Sequence, residues 1–274
     1  MSHGKSFIDK LLSLPVDARL FLVYTFAWSW IAWFIAITLY SGIQSTAGSI
    51  LYVLGAIAPS SVGLIQAKKK GTQYWSNFKK RVLSINGITS WNLIFIFGFV
   101  PFLLMFSYLI SYLSGTGVPE LDILWVYLSQ PLNLGLFALL TFIGGPLMEE
   151  FGWRGYCMDQ LRKSYGLFFS TLLLALIWAI WHLPLFLLEG TIQSMLIGVS
   201  LVSFFWYNIE VLSYGIVFGY ILSRNEYSVL SAILFHFSIN FFTGLTRFSG
   251  SSRGIYAFSL MVSSLLVARL IRKQ

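Results

Sequence analysis

Long apolar runs separated by short polar segments make up most of the chain between residues 20 and 270. A helix needs about 20 apolar residues to cross the roughly 30 Å hydrocarbon core of a bilayer. Eight runs are close to that length, so the pattern predicts an all-α polytopic membrane protein with eight transmembrane helices. The fourth helix is expected to continue through Tyr156 to Leu161. The predicted spans are residues 20–40, 47–67, 91–113, 132–148, 167–188, 195–222, 229–245 and 255–270.

A basic segment with interleaved aromatic residues separates the second span from the third. Its pattern predicts an amphipathic helix in the membrane interface, with the cations toward lipid headgroups and the rings at the acyl boundary. A patch that binds a specific lipid or partner is the alternative. The segment carries Lys68, Lys69, Lys70, Lys79, Lys80 and Arg81, together with Tyr74, Trp75 and Phe78.

Composition supports a membrane protein. Hydrophobic residues make up 57% of the 274 residues and charged residues only 10%, whereas a soluble domain carries about a quarter charged residues. The net charge of +8 is spread between apolar segments, which argues against nucleic acid as a partner. The single Cys157 excludes an intramolecular disulfide and is expected to pack in the interior. Residues 1–274 are therefore predicted to form one membrane domain.

The Lys and Arg residues predict the orientation, because cytoplasmic loops are enriched in them. With eight spans, most cations fall on one side, so both termini are predicted to be cytoplasmic. The first apolar run has full spanning length, so a retained helix is expected there instead of a cleaved signal peptide. The cationic side has Lys5, Lys10, Arg19, residues 68–81, Arg162, Lys163, Arg224, Arg269, Arg272 and Lys273; the other has Glu120, Asp122 and Glu189, with Arg247 and Arg253 as exceptions.

Few ionisable or strongly polar residues lie within the spans, and such residues are costly there unless they have a function. Glu149 and Glu150 end the fourth span, and His182 lies in the fifth. His236 and Asn240 lie in the seventh. Taken singly, a histidine or a glutamate pair could be structural, but the convergence of several such groups on three helices favours a shared site.

Helix geometry divides these residues by role. Residues four apart share a helix face, whereas adjacent residues point about 100° apart. Glu150 is therefore predicted to form an ion pair with Arg154, which leaves Glu149 facing elsewhere. His236 and Asn240 are predicted to face one site.

The proposed chemistry depends on Glu149 and His182 lying at the same level in the membrane. Glu149 and His182 are almost equally far from the charged turn near Tyr165, so an antiparallel helix pair would bring them to one level. The depth of this level in the membrane is left open, since the predicted fourth span places it near the cytoplasmic edge and the predicted fifth span places it deeper. A desolvated carboxylate can take a proton from water near neutral pH, and a histidine can pass it on. His236 and Asn240 then suit the stabilisation of an oxyanion.

Two features of the sixth span stand outside this set. Glu210 is assigned no catalytic role and is expected to bond Asn208 or a neighbouring helix, or to line a substrate path. Gly215 and Gly219 form a G-x3-G pattern, which predicts close packing against a neighbouring helix.

Three ordered motifs within residues 141–243 resemble those of the CPBP intramembrane proteases, the family of CAAX prenyl endopeptidases and bacteriocin-processing enzymes. Trp178 replaces the phenylalanine usual in the family and is expected to be an aromatic support that does not contact the chemistry. The motifs are Glu-Glu-x3-Arg at Glu149, Glu150 and Arg154, aromatic-x3-His at Trp178 and His182, and His-x3-Asn at His236 and Asn240.

The resemblance implies an eight-helix fold with a cavity open to the cytoplasm and an endopeptidase that acts on membrane-bound, prenylated or other lipidated proteins or peptides. It implies that Glu149 and His182 activate water, while His236 and Asn240 form the oxyanion hole. Catalysis without a metal cofactor is expected, because the chain has no HExxH motif and Asn240 suits an oxyanion donor better than a metal ligand. Zinc held by Glu149, His182 and His236 is an alternative. A transporter or proton relay, or an idle immunity or scaffold protein, is a further alternative.

Overall fold

The computed structural model describes residues 13–85, 87–248 and 250–272, which are predominantly helical. Short 3-10 turns cover Gly42–Gln44 and Leu183–Phe186. An isolated antiparallel bridge joins Glu120 to Arg247. The helices are α1 (Val16–Tyr40), α2 (Thr46–Ala56), α3 (Ala58–Lys69), α4 (Thr72–Leu83), α5 (Ser90–Ser114), α6 (Asp122–Ser129), α7 (Pro131–Tyr165), α8 (Leu167–Trp181), α9 (Ile192–Val199), α10 (Leu201–Arg224), α11 (Val229–Gly244) and α12 (Gly250–Arg272).

The helices confirm a polytopic membrane protein. Within the described ranges, six helices are long and apolar enough to cross a bilayer, namely α1, α5, α7, α8 with its following 3-10 turn, α10 and α12. The bent pair α2 and α3 gives a seventh if it counts as one span. Helix α11 is apolar but shorter than these. The predicted count of eight is therefore not confirmed.

Two predicted spans contain breaks that have local causes. Helices α2 and α3 meet at a bend of 40°, just before Pro59, which lies in the first turn of α3. Proline lacks the N–H that would continue the ladder of an existing helix, but it fits the start of a new one. The prediction of one helix over 195–222 is wrong, because Ser200 is extended and its side chain accepts a hydrogen bond from Ser203 N at the start of α10.

Helix α7 confirms the expected extension of the fourth span and runs on to Tyr165. Two π-helical segments, Ile143–Leu147 and Phe151–Cys157, flank the short α-helical turn Met148–Glu150. Such wide turns change the direction of the side chains that follow and often occur at functional sites. Cys157 is buried and free, as expected.

Close packing of α10 against α8 confirms the prediction made from Gly215 and Gly219. A Cβ atom on Gly215 would lie 2.4 Å from Cβ of Ala175. One on Gly219 would lie 2.2 Å from Oγ1 of Thr171. Any side chain at these positions would push the two helices apart, so α8 is held close beside α10.

Several of the predicted cationic segments meet on one face of the bundle. Asp159 near the end of α7 forms ion pairs with Arg81, Arg162 and Lys163, and Lys70 pairs with Asp17 at the start of α1. These contacts join α4 to the end of α7, and the start of α1 to the end of α3. Assignment of this face to the cytoplasm stays a prediction, and Lys5, Lys10 and Lys273 lie outside the described residues.

Both exceptions to the charge asymmetry are ion-paired. Arg247 pairs with Glu120 and Asp122. Arg253 pairs with Glu210 inside the bundle. Each pairing offsets the positive charge of its arginine.

Helix α4 occupies the basic and aromatic segment, but it packs partly on protein. Phe78 is buried, so the expectation that its ring lies at the acyl boundary is wrong. The Tyr74 hydroxyl donates a hydrogen bond to Asp159 at 2.8 Å, and burial together with this carboxylate raises the pKa of Tyr74. An interfacial location for the remainder of α4 stays a prediction.

Candidate active site

Glu149 lies inside the protein, between the two π-helical segments of α7. Its side chain is buried, and its Oε2 accepts a hydrogen bond of 2.7 Å from the indole Nε1 of Trp178 on α8. Glu149 therefore does not face lipid, and one of its oxygens is fixed by a neighbouring helix.

His182 lies directly after α8 and is held by the same residue. Its Nδ1 is 2.8 Å from the backbone carbonyl oxygen of Trp178. A carbonyl can only accept, so Nδ1 carries a proton, and in the neutral ring Nε2 has a free lone pair. Glu149 and His182 are thus both hydrogen-bonded to Trp178.

Glu150 forms the predicted ion pair and also a contact that the sequence did not reveal. Its Oε1 lies 2.9 Å from Nη1 of Arg154 and 2.7 Å from Nδ1 of His236 on α11. The carboxylate accepts both bonds, and all three side chains are buried. Glu150 therefore fixes the orientation of His236.

Arg154 connects this ion pair to the aromatic wall of the site. Its guanidinium carbon lies 4.3 Å from the ring centroid of Trp178 and 3.8 Å from that of Phe218. A guanidinium packed on aromatic faces gains cation–π attraction when it is desolvated. The arginine thus supports the indole that contacts Glu149.

Trp178 occupies the centre of the predicted set. Its ring centroid is 5.2 Å from that of His182 and 5.6 Å from that of His236, both edge to face. Asn240 lies one helical turn after His236 on α11 and is half-buried. The structure therefore brings together the predicted residues of α7, α8 and α11.

The expectation that Trp178 does not contact the groups proposed for catalysis is wrong, because its indole bonds to Glu149. A phenylalanine at this position would fill space but would lack the N–H that donates to Glu149. The replacement of phenylalanine by tryptophan introduces this donor. The sequence does not show which atom the indole reaches, because it does not fix the register between α7 and α8.

Glu210 bonds a neighbouring helix, which was one of its expected roles. Its Oε2 accepts a 2.7 Å hydrogen bond from Nη2 of Arg253 on α12. Asn208 instead donates to the carbonyl of Phe204. Tyr207, which the sequence did not single out, has its ring 6.1 Å from that of His182. The ion pair of Glu210 with Arg253 therefore lies one helical turn from Tyr207, which lines the site.

The alternative zinc site would be formed by Glu149, His182 and His236. In the part of the chain that the structure describes, no group of three or more His, Cys, Asp and Glu side chains has an arrangement that could hold an ion. Nδ1 of both imidazoles is already engaged, so only Nε2 of each ring remains for another partner. Independence from metal stays a prediction.

Comparison with known proteins finds a matching family model and a similar curated protein. A family model described as type II CAAX prenyl endopeptidase Rce1-like matches residues 131–242. This range contains all the proposed site residues. A protein named CAAX prenyl protease 2, from Methanococcus maripaludis, is 28% identical over 235 residues, which cover 83% of this chain and 84% of the relative.

Proposed function

We propose that the chain, which is similar to the CPBP intramembrane proteases of the CAAX prenyl endopeptidase type, cleaves a peptide bond near the C-terminus of membrane-associated proteins or peptides. Prenylated CAAX-type proteins are the proposed substrates, as the name of the Methanococcus relative indicates for that protein. The convergence of Glu149, His182 and His236 around Trp178 is the observation that carries the proposal.

Glu149 and His182 are proposed to activate the attacking water. Trp178 fixes one carboxylate oxygen of Glu149, which leaves the other to accept a proton. Protonation of Nδ1 leaves Nε2 of His182 as an acceptor directed away from its own helix backbone. Two acceptors at one level can orient a water molecule and increase its nucleophilicity.

The reaction then proceeds through a tetrahedral intermediate. The water oxygen bonds to the peptide carbonyl carbon as its proton passes to Glu149, and the carbonyl oxygen becomes an oxyanion. As the oxyanion collapses and the C–N bond breaks, the proton taken up by Glu149 passes through Nε2 of His182 to the leaving amine. The hydroxyl proton of the new carboxyl group is then released. The products are a new carboxylate and a released C-terminal peptide.

His236 and Asn240 are proposed to stabilise the oxyanion. Because Nδ1 of His236 donates to Glu150, Nε2 can also donate only when the ring carries both protons. The Glu150 carboxylate, which is shared with Arg154, stabilises the resulting positive charge. The amide of Asn240 supplies the second donor, and one such donor contributes roughly 3 kcal/mol to transition-state stability.

Both termini are proposed to be cytoplasmic. The ion pairs around Asp159 gather cations from α4 and α7 on one face, and Lys/Arg-rich loops are retained on the cytoplasmic side. Substrate would then approach from the cytoplasm and the lipid bilayer.

A cleavage assay tests the function. Detergent-purified protein is given quenched peptides with a C-terminal CAAX sequence, farnesylated or not. We expect wild-type protein to cleave, and Glu149→Ala and His182→Ala to lose at least about 10²-fold in kcat. Full activity in Glu149→Ala would rule out the mechanism.

Two further arms separate the alternatives. We expect a chelator to leave cleavage unchanged; loss that zinc restores would favour the zinc enzyme. Solute uptake by reconstituted protein without any cleavage would favour a transporter. If the protein shows neither cleavage nor uptake, the result would favour an immunity or scaffold protein of this fold.

A further inference from the structure

Gly145 lies against both groups assigned to the oxyanion hole. It belongs to the π-helical segment Ile143–Leu147 of α7, one turn before Glu149. A Cβ atom in ideal geometry on Gly145 would lie 2.6 Å from Nδ2 of Asn240 and 3.2 Å from Nε2 of His236. Both distances are shorter than the optimal separation of non-bonded heavy atoms. The two nitrogens therefore approach the α7 backbone in a way that only glycine permits.

The adjacent glycine does not share this property. A Cβ on Gly144, in the same π-helical segment, would meet no atom within 4 Å. The steric requirement is thus specific to position 145, and Gly144 offers a matched control with the same change in backbone freedom.

The two donors differ in how easily they can move away from a methyl group added at position 145. Nδ2 is at the end of the Asn240 side chain, which can rotate away from an added methyl group. His236 is held from behind by Glu150 at 2.7 Å. A methyl group at 145 would therefore displace the Asn240 amide before it displaced the helix.

We propose that Gly145 is a positioning residue for the oxyanion hole, because its lack of a side chain lets the Asn240 amide and the His236 imidazole converge on one point. The proposal rests on the proposed function. It assigns no contact with substrate to Gly145, which acts through the placement of Asn240 and His236. The π-helical turn directs the bare face of Gly145 toward α11.

Gly145→Ala and Gly144→Ala in the quenched-peptide assay test the first consequence. We expect Gly145→Ala to lower kcat about 10²-fold, the loss typical of one oxyanion donor, with KM changed less than about twofold. We expect Gly144→Ala to match wild type. Wild-type kcat in Gly145→Ala would overturn the proposal.

A double-mutant cycle tests the route through Asn240. Once Asn240→Ala has removed the amide, we expect Gly145→Ala to lower kcat by no more than about twofold further, because coupled residues are not additive. If the double variant instead shows the product of the two single losses, Gly145 acts through the helix and the proposal fails.

Thermal unfolding in detergent completes the design. We expect all variants to unfold within a few degrees of wild type. If Gly145→Ala does not fold, the double variant with Asn240→Ala relieves the 2.6 Å contact and should fold with the kcat of Asn240→Ala. Failure of both to fold would show a general need for glycine and overturn the proposal. Absence of cleavage by the wild-type protein would refute the proposed function itself, whereas wild-type cleavage in both Asn240→Ala and Glu149→Ala would refute only the assigned catalytic residues.

Discussion

The indole Nε1 of Trp178 donates a 2.7 Å hydrogen bond to Oε2 of Glu149, while the backbone carbonyl of Trp178 accepts from Nδ1 of His182. One residue of α8 thus holds both groups proposed to activate water. The side chain of Trp178 fixes the carboxylate and its backbone fixes the imidazole, so the two ties can be separated by mutation.

Trp178→Phe removes only the tie to Glu149. The carbonyl that holds His182 remains, and a phenyl ring can still pack on Arg154. A hydrogen bond to a charged group contributes about 1.5–3 kcal/mol to stability, so we expect the unfolding temperature to fall by several degrees. We also expect kcat to fall about 10-fold or more, because Glu149 loses its fixed orientation. Steady-state cleavage of the quenched peptide is the measurement, and an unchanged kcat would show that the indole N–H does not position Glu149.

Glu150→Gln is expected to destabilise the fold strongly. The neutral amide would leave the fully buried Arg154 without its countercharge and His236 without its carboxylate acceptor. Removal of one partner from a buried ion pair costs about 3–5 kcal/mol. Chemical unfolding in detergent measures the loss.

The exposed pair of Glu120 and Arg247 supplies the control for Glu150→Gln. The Glu120 side chain is 64% exposed, so Glu120→Gln should cost at most about 1 kcal/mol. Equal losses in the two variants would contradict the role assigned to Glu150.

Glu210 and Arg253 allow a test of pairing between α10 and α12. Their side chains are only 11% and 13% exposed, so Glu210→Gln leaves a buried arginine and should cost about 3 kcal/mol or more. Replacement of both, as Glu210→Gln with Arg253→Met, should restore much of that stability. If the double variant is less stable than Glu210→Gln alone, the pair is not the reason for the loss.

Gly215→Ala is expected to separate α8 from α10. The added Cβ would lie 2.4 Å from Cβ and 2.8 Å from Cα of Ala175, and backbone cannot move as cheaply as a side chain. Overpacking of this kind costs about 1–3 kcal/mol. Thermal unfolding in detergent measures it.

Gly98→Ala on α5 is the matched control for Gly215→Ala. A Cβ there meets nothing within 4 Å, and alanine favours a helix over glycine by about 0.5–1 kcal/mol. The control should therefore be neutral or slightly stabilising. A similar loss in both variants would attribute the effect to the glycine backbone instead of helix packing.

The sequence alone identified the residues of the candidate site and one helix that packs closely on a neighbour. Helical spacing predicted the pair of Glu150 with Arg154, and the glycines at 215 and 219 predicted close packing of α10. These predictions succeeded because residues four apart lie on one helix face whatever the tertiary arrangement. The same periodicity did not predict the break at Ser200, because an apolar run has the same pattern whether or not one residue within it is extended.

Only the tertiary structure decided how the helices meet. The hydrogen bond from Trp178 to Glu149, the bond from His236 to Glu150 and the contact of Gly145 with Asn240 each join different helices. Each depends on the rotation and register of two helices to within about an ångström, and on π-helical turns that shift the side chains of α7. Periodicity within one segment specifies a face of a helix, but it does not specify which atom of another helix that face will touch.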